Sequence, residues 1–479
     1  MVKAIVGGAL LGSDRMIPVR NPADGGTIGE IPDLKRDDIR SAIDSADQAL
    51  AALQSLTVAA RSRLLLKVAA AIREHAEALA STMTDEIGRP IKSSRGEMMR
   101  TAVIFELAAS EVKGAFEGQF IPLEAYEFPA GNDKRIAFVK RDPVGVVASI
   151  TPFNFPASSF AHKVAPALAL GNTVVHKPSV HAPLTQLMIA QMILDAGFPS
   201  GSVNVVTGNS GMIGAEIVEN PKVALVSFTG SADVGLDLAG KAVSRGKKVI
   251  MELGGSDAQI VLDDADLQKA SAAAVLGRFD YAGQFCNATK RLLVSKEVSA
   301  EFSDNLLGRL KRMMVGDPRL EETEIGPLIS DNAVKQMQEF FDDAKAEGAE
   351  VVYQGSTPSK GYFFPPTVMK LSKPMRITSE EVFGPLVPII EVATEDEAIQ
   401  LTNSSPYGLD ASIFTKDFGR AYRLASRLKV GSVMINDTTR LRWDNLPFGG
   451  PKKSGIGREG IRNTMLEMTE PKLIVCNVG

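Results

Sequence analysis

Between Val144 and Leu253 the chain alternates short apolar runs with helix-length runs, and this alternation restricts the fold more than any other feature. Val144–Ile150 is continuously apolar, as a strand covered on both faces must be. The Ala-rich stretch Ala157–Leu170 has helical composition and length, and Thr173–His176 returns to strand character. Leu184–Ala196 predicts a helix, Val203–Val206 and Val223–Phe228 strands, Ala232–Val243 a helix and Lys248–Leu253 a strand. Strands alternating with helices favour a parallel α/β sheet, here a doubly wound dinucleotide-binding pattern with ligands at the carboxyl ends of its strands.

The flanking segments read differently. Ile39, Ala42, Ile43, Ala46 and Leu50 recur at helical spacing, and a longer helical region runs from Ala59 to about Gly114. Glu127-Phe128-Pro129, the turn Gly131-Asn132-Asp133 and Arg135–Val139 predict a hairpin with one exposed edge. A second α/β block starts at Ala258 and runs to about Ile435. The tail Pro471–Cys476 is strand-like and is expected to pair with the hairpin.

A chain of 479 residues exceeds what one hydrophobic core serves, so more than one domain is expected. A net charge of −4 gives no electrostatic reason to expect nucleic acid or an anionic membrane as partner. No apolar run reaches the roughly 18 residues that a spanning helix needs, and Met1-Val2-Lys3-Ala4 opens no cleavable signal pattern. The only cysteines are Cys286 and Cys476, which is no disulfide framework and fits the reducing cytoplasm. The four histidines show no HxxxH spacing and no CxxC occurs, so no metal site is expected; the absence of a GxSxG elbow argues against a serine hydrolase.

Three residues carry the chemistry. Cys286 follows Gly283-Gln284-Phe285 and precedes the polar Asn287-Ala288-Thr289, a setting of an exposed turn, although a lone cysteine is ordinarily a small buried hydrophobe. Glu252 ends an apolar strand before Gly254-Gly255, where it could act as a base or simply cap the turn. Asn154 lies between Pro152 and Pro156, suited to an Asx turn or to donating to an oxyanion. A thiol nucleophile, a base for water and an oxyanion donor are what aldehyde oxidation through a thioester requires.

These motifs, in this order and spacing, resemble the NAD(P)-dependent aldehyde dehydrogenase superfamily over nearly the whole chain, and most resemble its lactaldehyde and glyceraldehyde dehydrogenase branch. The resemblance implies a doubly wound dinucleotide-binding domain (residues 1–121 and 143–251) and a second α/β catalytic domain (252–443). It adds a small β oligomerisation element (122–142 and 462–479), and hence a homodimer or homotetramer. It makes Cys286 the nucleophile, Glu252 the activator of water and Asn154 the oxyanion donor, with Lys163 and Glu470 as a pair passing protons from the base to solvent.

The resemblance also implies NAD or NADP as cofactor. Thr229-Gly230-Ser231 and Gly235 open a helix that could receive a pyrophosphate, with a Thr-Gly-Ser helix cap as the plainer reading. Lys177 matches a ribose-binding lysine, Glu381 and Phe383 the pair that holds the nicotinamide ribose and ring, and Thr151, Pro152, Phe153, Ser179 and Leu253 line the same path. Val180 stands where strictly NAD-preferring members commonly carry Glu, so a 2′-phosphate meets no carboxylate there and NADP is admissible. The literal GxGxxG at Gly455–Gly460 follows no predicted strand and reads as a structural loop.

For substrate, the resemblance places Arg100, Phe155, Phe285 and Arg442 at the aldehyde. A small polar aliphatic aldehyde is expected, of lactaldehyde or glyceraldehyde type. A small anion such as succinate semialdehyde is the second reading, because a guanidinium fork suits a carboxylate. A CoA-acylating relative and a catalytically silent dinucleotide-binding protein are the remaining alternatives, and both sit poorly with an intact Cys286, Glu252 and Asn154.

Overall fold

The computed structural model describes residues 2–479. Its larger sheet has the strand order Gly455–Ile456, Lys248–Glu252, Val223–Thr229, Val146–Ile150, Thr173–Lys177, Val203–Val205, Ala4–Val6, Ala9–Leu11. The strands from Lys248–Glu252 to Val203–Val205 are parallel. Val146–Ile150 and Thr173–Lys177 are buried throughout, each built around an apolar run (Val146–Ala148, Val174–Val175), as a strand covered on both faces requires. Strand order reverses beside Val146–Ile150: the chain builds outward on one flank, then crosses to add Val223–Thr229 on the other. The crevice at that reversal lies outside the carboxyl ends, where Thr151 and Gly230 stand.

A second sheet runs Glu350–Gln354, Thr367–Leu371, Leu386–Val392, Thr289–Ser295, Asp257–Val261, Asp410–Phe414, Ser432–Ile435, parallel except at the first pair. Cys286 precedes Thr289–Ser295 and Glu381 precedes Leu386–Val392, so this sheet supplies residues from the amino ends of its strands. The turn Leu253–Ser256 joins the sheets. A Cβ on Gly255 would lie 2.5 Å from the Cys286 carbonyl oxygen, so only glycine lets this turn rest against the cysteine loop.

The predicted hairpin needs correction. Glu127-Phe128-Pro129 is not a strand; the arm that pairs with Arg135–Pro143 is Gln119–Ile121, and the residues between them form short 3-10 turns. A proline cannot donate to a ladder, which disfavours the expected arm. The tail does pair with this hairpin, as Thr469–Asn477 runs antiparallel to Arg135–Pro143 along its full length. Cys476 on that tail is exposed, because the tail is an edge strand of a sheet whose outer positions face solvent.

Candidate active site

Tyr281, Ala282 and Gly283 carry consecutive positive φ values of 47°, 52° and 69°, turning the chain sharply after the helix Leu267–Phe279. Non-glycine residues rarely adopt that backbone, so the loop has to be held from outside. Gln284 does this: its side-chain amide donates to the Pro327 carbonyl at 3.2 Å and its Oε1 accepts from the Ile329 N–H at 2.9 Å. The Gln284 carbonyl accepts from Asn154 Nδ2 at 2.9 Å. An amide nitrogen has two hydrogens, so Asn154 keeps one donor while the other fixes it to the cysteine loop.

Cys286 is partly exposed on the wall of a cavity of about 320 Å³, shared with Asn154, Glu252, Phe155, Glu381 and Phe383. Burial pushes its thiol up to about 12, against the opposing pull of the Lys290 and Arg442 cations. Glu252 is buried at the end of Lys248–Glu252. Its Oε1 accepts the Glu459 N–H at 3.2 Å, while its Oε2 has no partner. Burial first, and the neighbouring Glu459 carboxylate second, hold Glu252 well above the usual carboxylate range. Gly449, at φ 131°, lies so close that a Cβ there would come within 2.6 Å of Glu252 Oε1.

Behind Glu252 lies a buried ion network. Lys163 Nζ reaches Glu459 Oε1 at 2.7 Å, and Arg442 reaches Glu459 Oε2 at 2.7 Å. Although burial alone would raise it, Glu459 is held below the usual range by these two cations. His162 Nε2 lies 2.9 Å from Asp444 Oδ1, and Arg100 makes three bonds to the same carboxylate, at 2.6 and 2.9 Å to Oδ1 and 3.1 Å to Oδ2. Burial and the Arg442 charge lower His162 to about 4, so its neutral ring donates to Asp444.

The cavity continues into a second one of about 560 Å³ lined by Thr151, Lys177 and Ser179, with Pro152, Phe153, Thr229, Gly230 and Ser231 common to both. The helix Ala232–Val243 opens there with no side-chain cap on its first N–H groups, and Thr229 Oγ1 has no partner. Free amide donors at a helix N-terminus and an unused hydroxyl fit a pyrophosphate. Burial brings Lys177 down to about 8. On the cysteine side of this path, Glu381 Oε1 accepts the Gly255 N–H at 3.0 Å, and Phe383 stands edge-on to Phe153 at 6.1 Å.

Three expected positions are placed otherwise. Glu470 is exposed on the C-terminal strand and pairs with Lys248 at 3.0 Å, so it is not the partner of Lys163; that partner is Glu459. Phe285 is fully buried behind the cavity wall, stacked at 5.6 Å on Phe155, and does not line the cavity. Gly235 faces inward: a Cβ there would meet Leu253 at 2.2 Å, so it serves close packing of the helix against the strand end rather than phosphate contact. Arg100 and Arg442 do line the cavity, but each guanidinium is already bonded to a carboxylate. Sequence reasoning missed Glu459, Arg440 and Lys290. Glu459 lay inside the GxGxxG stretch, where the glycines drew attention and the acid did not.

A sequence profile described as "Aldehyde dehydrogenase family" matches residues 11–474. A lactaldehyde dehydrogenase of Methanocaldococcus jannaschii is 39% identical over 461 residues, covering 95% of this chain and 96% of the relative. A 3-sulfolactaldehyde dehydrogenase of Priestia megaterium is 38% identical over 450 residues, covering 94% and 92%. The crystal structure of a glyceraldehyde-3-phosphate dehydrogenase from Methanocaldococcus jannaschii, complexed with NADP, superposes with a TM-score of 0.92 at 38% identity, covering 97% of this chain and 100% of that one. The structure of an NAD-dependent aldehyde dehydrogenase from Sinorhizobium meliloti gives 0.95 at 35% identity, covering 100% and 95%. With a thiol, a buried carboxylate and an amide donor gathered on one cavity beside an uncapped helix, the chain belongs to the aldehyde dehydrogenase family.

Proposed function

We propose that the chain oxidises a small, polar, uncharged aldehyde of lactaldehyde or glyceraldehyde type to its acid, using NAD or NADP. Cys286 Sγ adds to the aldehyde carbon, and the carbonyl electron pair moves onto oxygen. The second Nδ2 hydrogen of Asn154 donates to that oxyanion. A bound NAD or NADP would supply the acceptor for the hydride that leaves the carbon, which would leave Cys286 as a thioester. Glu252 takes a proton from water through its free Oε2, water adds to the thioester carbon, and the thiolate leaves with the acid released. The cofactor-holding residues are Thr229, Gly230, Ser231, Lys177 and Ser179 at the dinucleotide and Glu381 and Phe383 at the nicotinamide.

One observation carries the substrate assignment. Each guanidinium on the cavity wall is matched by a carboxylate: Arg100 by Asp444, Arg442 by Glu459, Arg440 by Asp280 at 3.0 Å. An anionic tail would have to displace one of these, whereas hydroxyls need only the polar rim of Ser158, Ser159, Asn287 and Gln336. The lactaldehyde dehydrogenase relative agrees with this reading, whereas the 3-sulfolactaldehyde and glyceraldehyde-3-phosphate dehydrogenases are named for anionic aldehydes, so the charge of the tail rests on the arginine pairing. Steady-state kinetics with lactaldehyde, glyceraldehyde and succinate semialdehyde, each with both cofactors, tests it. The neutral aldehydes should give the higher kcat/KM, and Arg442→Ala should affect all three alike. A preference for the anion, lost in Arg442→Ala, would overturn it. CoA should not stimulate turnover.

The exposed Phe120, Phe138, Leu473 and Val475 on the three-stranded sheet support a homodimer or homotetramer formed through this element. Two unpaired cysteines, with no helix among the described residues long and apolar enough to cross a membrane, support a cytoplasmic setting.

A further inference from the structure

Lys290 is completely buried, four residues beyond Cys286 at the start of the strand Thr289–Ser295. Its Nζ donates to the Phe285 carbonyl at 2.9 Å and to the Cys286 carbonyl at 2.5 Å, and Glu381 Oε1 lies 3.7 Å away. An ammonium has three hydrogens, and this arrangement directs two at the cysteine's own backbone and one toward the carboxylate. Burying a lysine charge is unfavourable, so a lysine in such a place has to be compensated and is a poor choice for filling space alone. The step assigned to Cys286 needs a thiolate in a setting where burial opposes charge.

We propose that Lys290 is a positioning residue for Cys286, in which a buried ammonium both fixes the Phe285–Cys286 backbone and supplies a fixed positive charge that favours the thiolate. The charged groups facing it come from every neighbouring element. Glu381 approaches from the segment before Leu386–Val392, Asp257 from Asp257–Val261, Asp410 from Asp410–Phe414 and Arg278 from Leu267–Phe279. The thiol itself is faced by Lys290, Arg442, Glu381 and Asp257. Glu381 is the carboxylate within ion-pair distance of the ammonium, and Gly255 N–H bonded to Glu381 ties that same pair to the turn that follows Glu252. The two ends of the reaction, thiol and base, are thereby braced through one ion pair.

The proposal rests on Cys286 being the nucleophile, and its test reads thiol ionisation without any aldehyde turnover, so the two can fail separately. In the purified full-length protein, the rate of alkylation of Cys286 by iodoacetamide is followed against pH by peptide mass spectrometry, with exposed Cys476 as internal reference. Lys290→Gln keeps an amide donor without the charge, and Lys290→Met removes both. Each should move the Cys286 profile to higher pH, slowing alkylation at a fixed pH by about tenfold or more, one pKa unit being a factor of ten, while Cys476 is unchanged. Lys290→Arg should stay closer to wild type. A wild-type profile in folded Lys290→Gln overturns the proposal. If both neutral variants fail to fold, Glu381→Gln decides: with the lysine left in place and its carboxylate gone, the profile should move to lower pH, and an unmoved profile overturns it.

Discussion

Lys163 and Glu459, 296 residues apart, form a buried ion pair of 2.7 Å whose carboxylate residue also donates its backbone N–H to Glu252. Glu252, the proposed base, is thus linked through one residue to a buried cation, and the charge on Glu459 bears on how readily Glu252 ionises. Because burial and Glu459 both raise Glu252, its basic form appears only as pH rises beyond the ordinary carboxylate range.

Replacing Glu459 by Gln removes the second of those causes. Glu252 then ionises at lower pH, so the acidic limb of the kcat profile should shift downward. The maximal kcat should fall by about tenfold or more, if Glu459 also carries the proton onward. Glu470→Gln, on the exposed strand, should leave both within about twofold. A pH profile of kcat for the two variants checks this, and an unmoved limb in Glu459→Gln would show that the carboxylates do not interact.

Glu252→Gln separates the two half-reactions. In the proposed mechanism hydride transfer needs Cys286 and Asn154, whereas hydrolysis needs Glu252. The variant should give a first-turnover burst of reduced cofactor and then slow by about 10²–10⁴. Stopped-flow absorbance at the reduced nicotinamide band measures both phases. Loss of the burst would place Glu252 before hydride transfer.

Cofactor choice is expected to turn on Lys177, Ser179 and Val180. Lys177 and Ser179 line the second cavity, and no carboxylate follows at 180. Native enzyme should therefore use NADP measurably. Val180→Glu should shift the NAD to NADP ratio of kcat/KM by about tenfold or more toward NAD, since a desolvated like-charge contact costs several kcal/mol. A native preference for NAD of about a thousandfold would show that another contact excludes the phosphate.

Glu97 holds the Asn154 segment from behind. One oxygen accepts from the Ala157 and Ser158 N–H groups at 3.2 and 3.1 Å, capping the helix Pro156–Leu170, and the other pairs with buried Arg89. Glu97→Ala leaves that guanidinium unpaired in the core, a loss of about 3–5 kcal/mol. Denaturant unfolding should show it, and Arg89, stacked 4.5 Å over Phe155, should lose its position with it. An unfolding midpoint within error of wild type would rule out this brace.

The doubly wound sheet was legible because its strands are each built around a short apolar run, and a strand buried on both faces leaves that mark whatever lies around it. Cys286, Glu252 and Asn154 were legible for a related reason, since each sits in a short turn whose glycines and prolines are local in sequence. The pairings between them were not. Glu459 reaches Glu252 because Gly455–Ile456 adds as an antiparallel edge to Lys248–Glu252, a register set by backbone pairing over 200 residues of separation. Glu470 and Glu459 are both acids near the C-terminus, and nothing local says which one turns inward. Likewise Arg100 and Arg442 present free guanidinium forks as sequence, and only tertiary packing brings Asp444 and Glu459 against them. Strand character and turn chemistry are local free-energy preferences and are written in the chain; the partner of a buried charge is decided by long-range packing, because the cost of leaving that charge unmet is felt only once the core has closed.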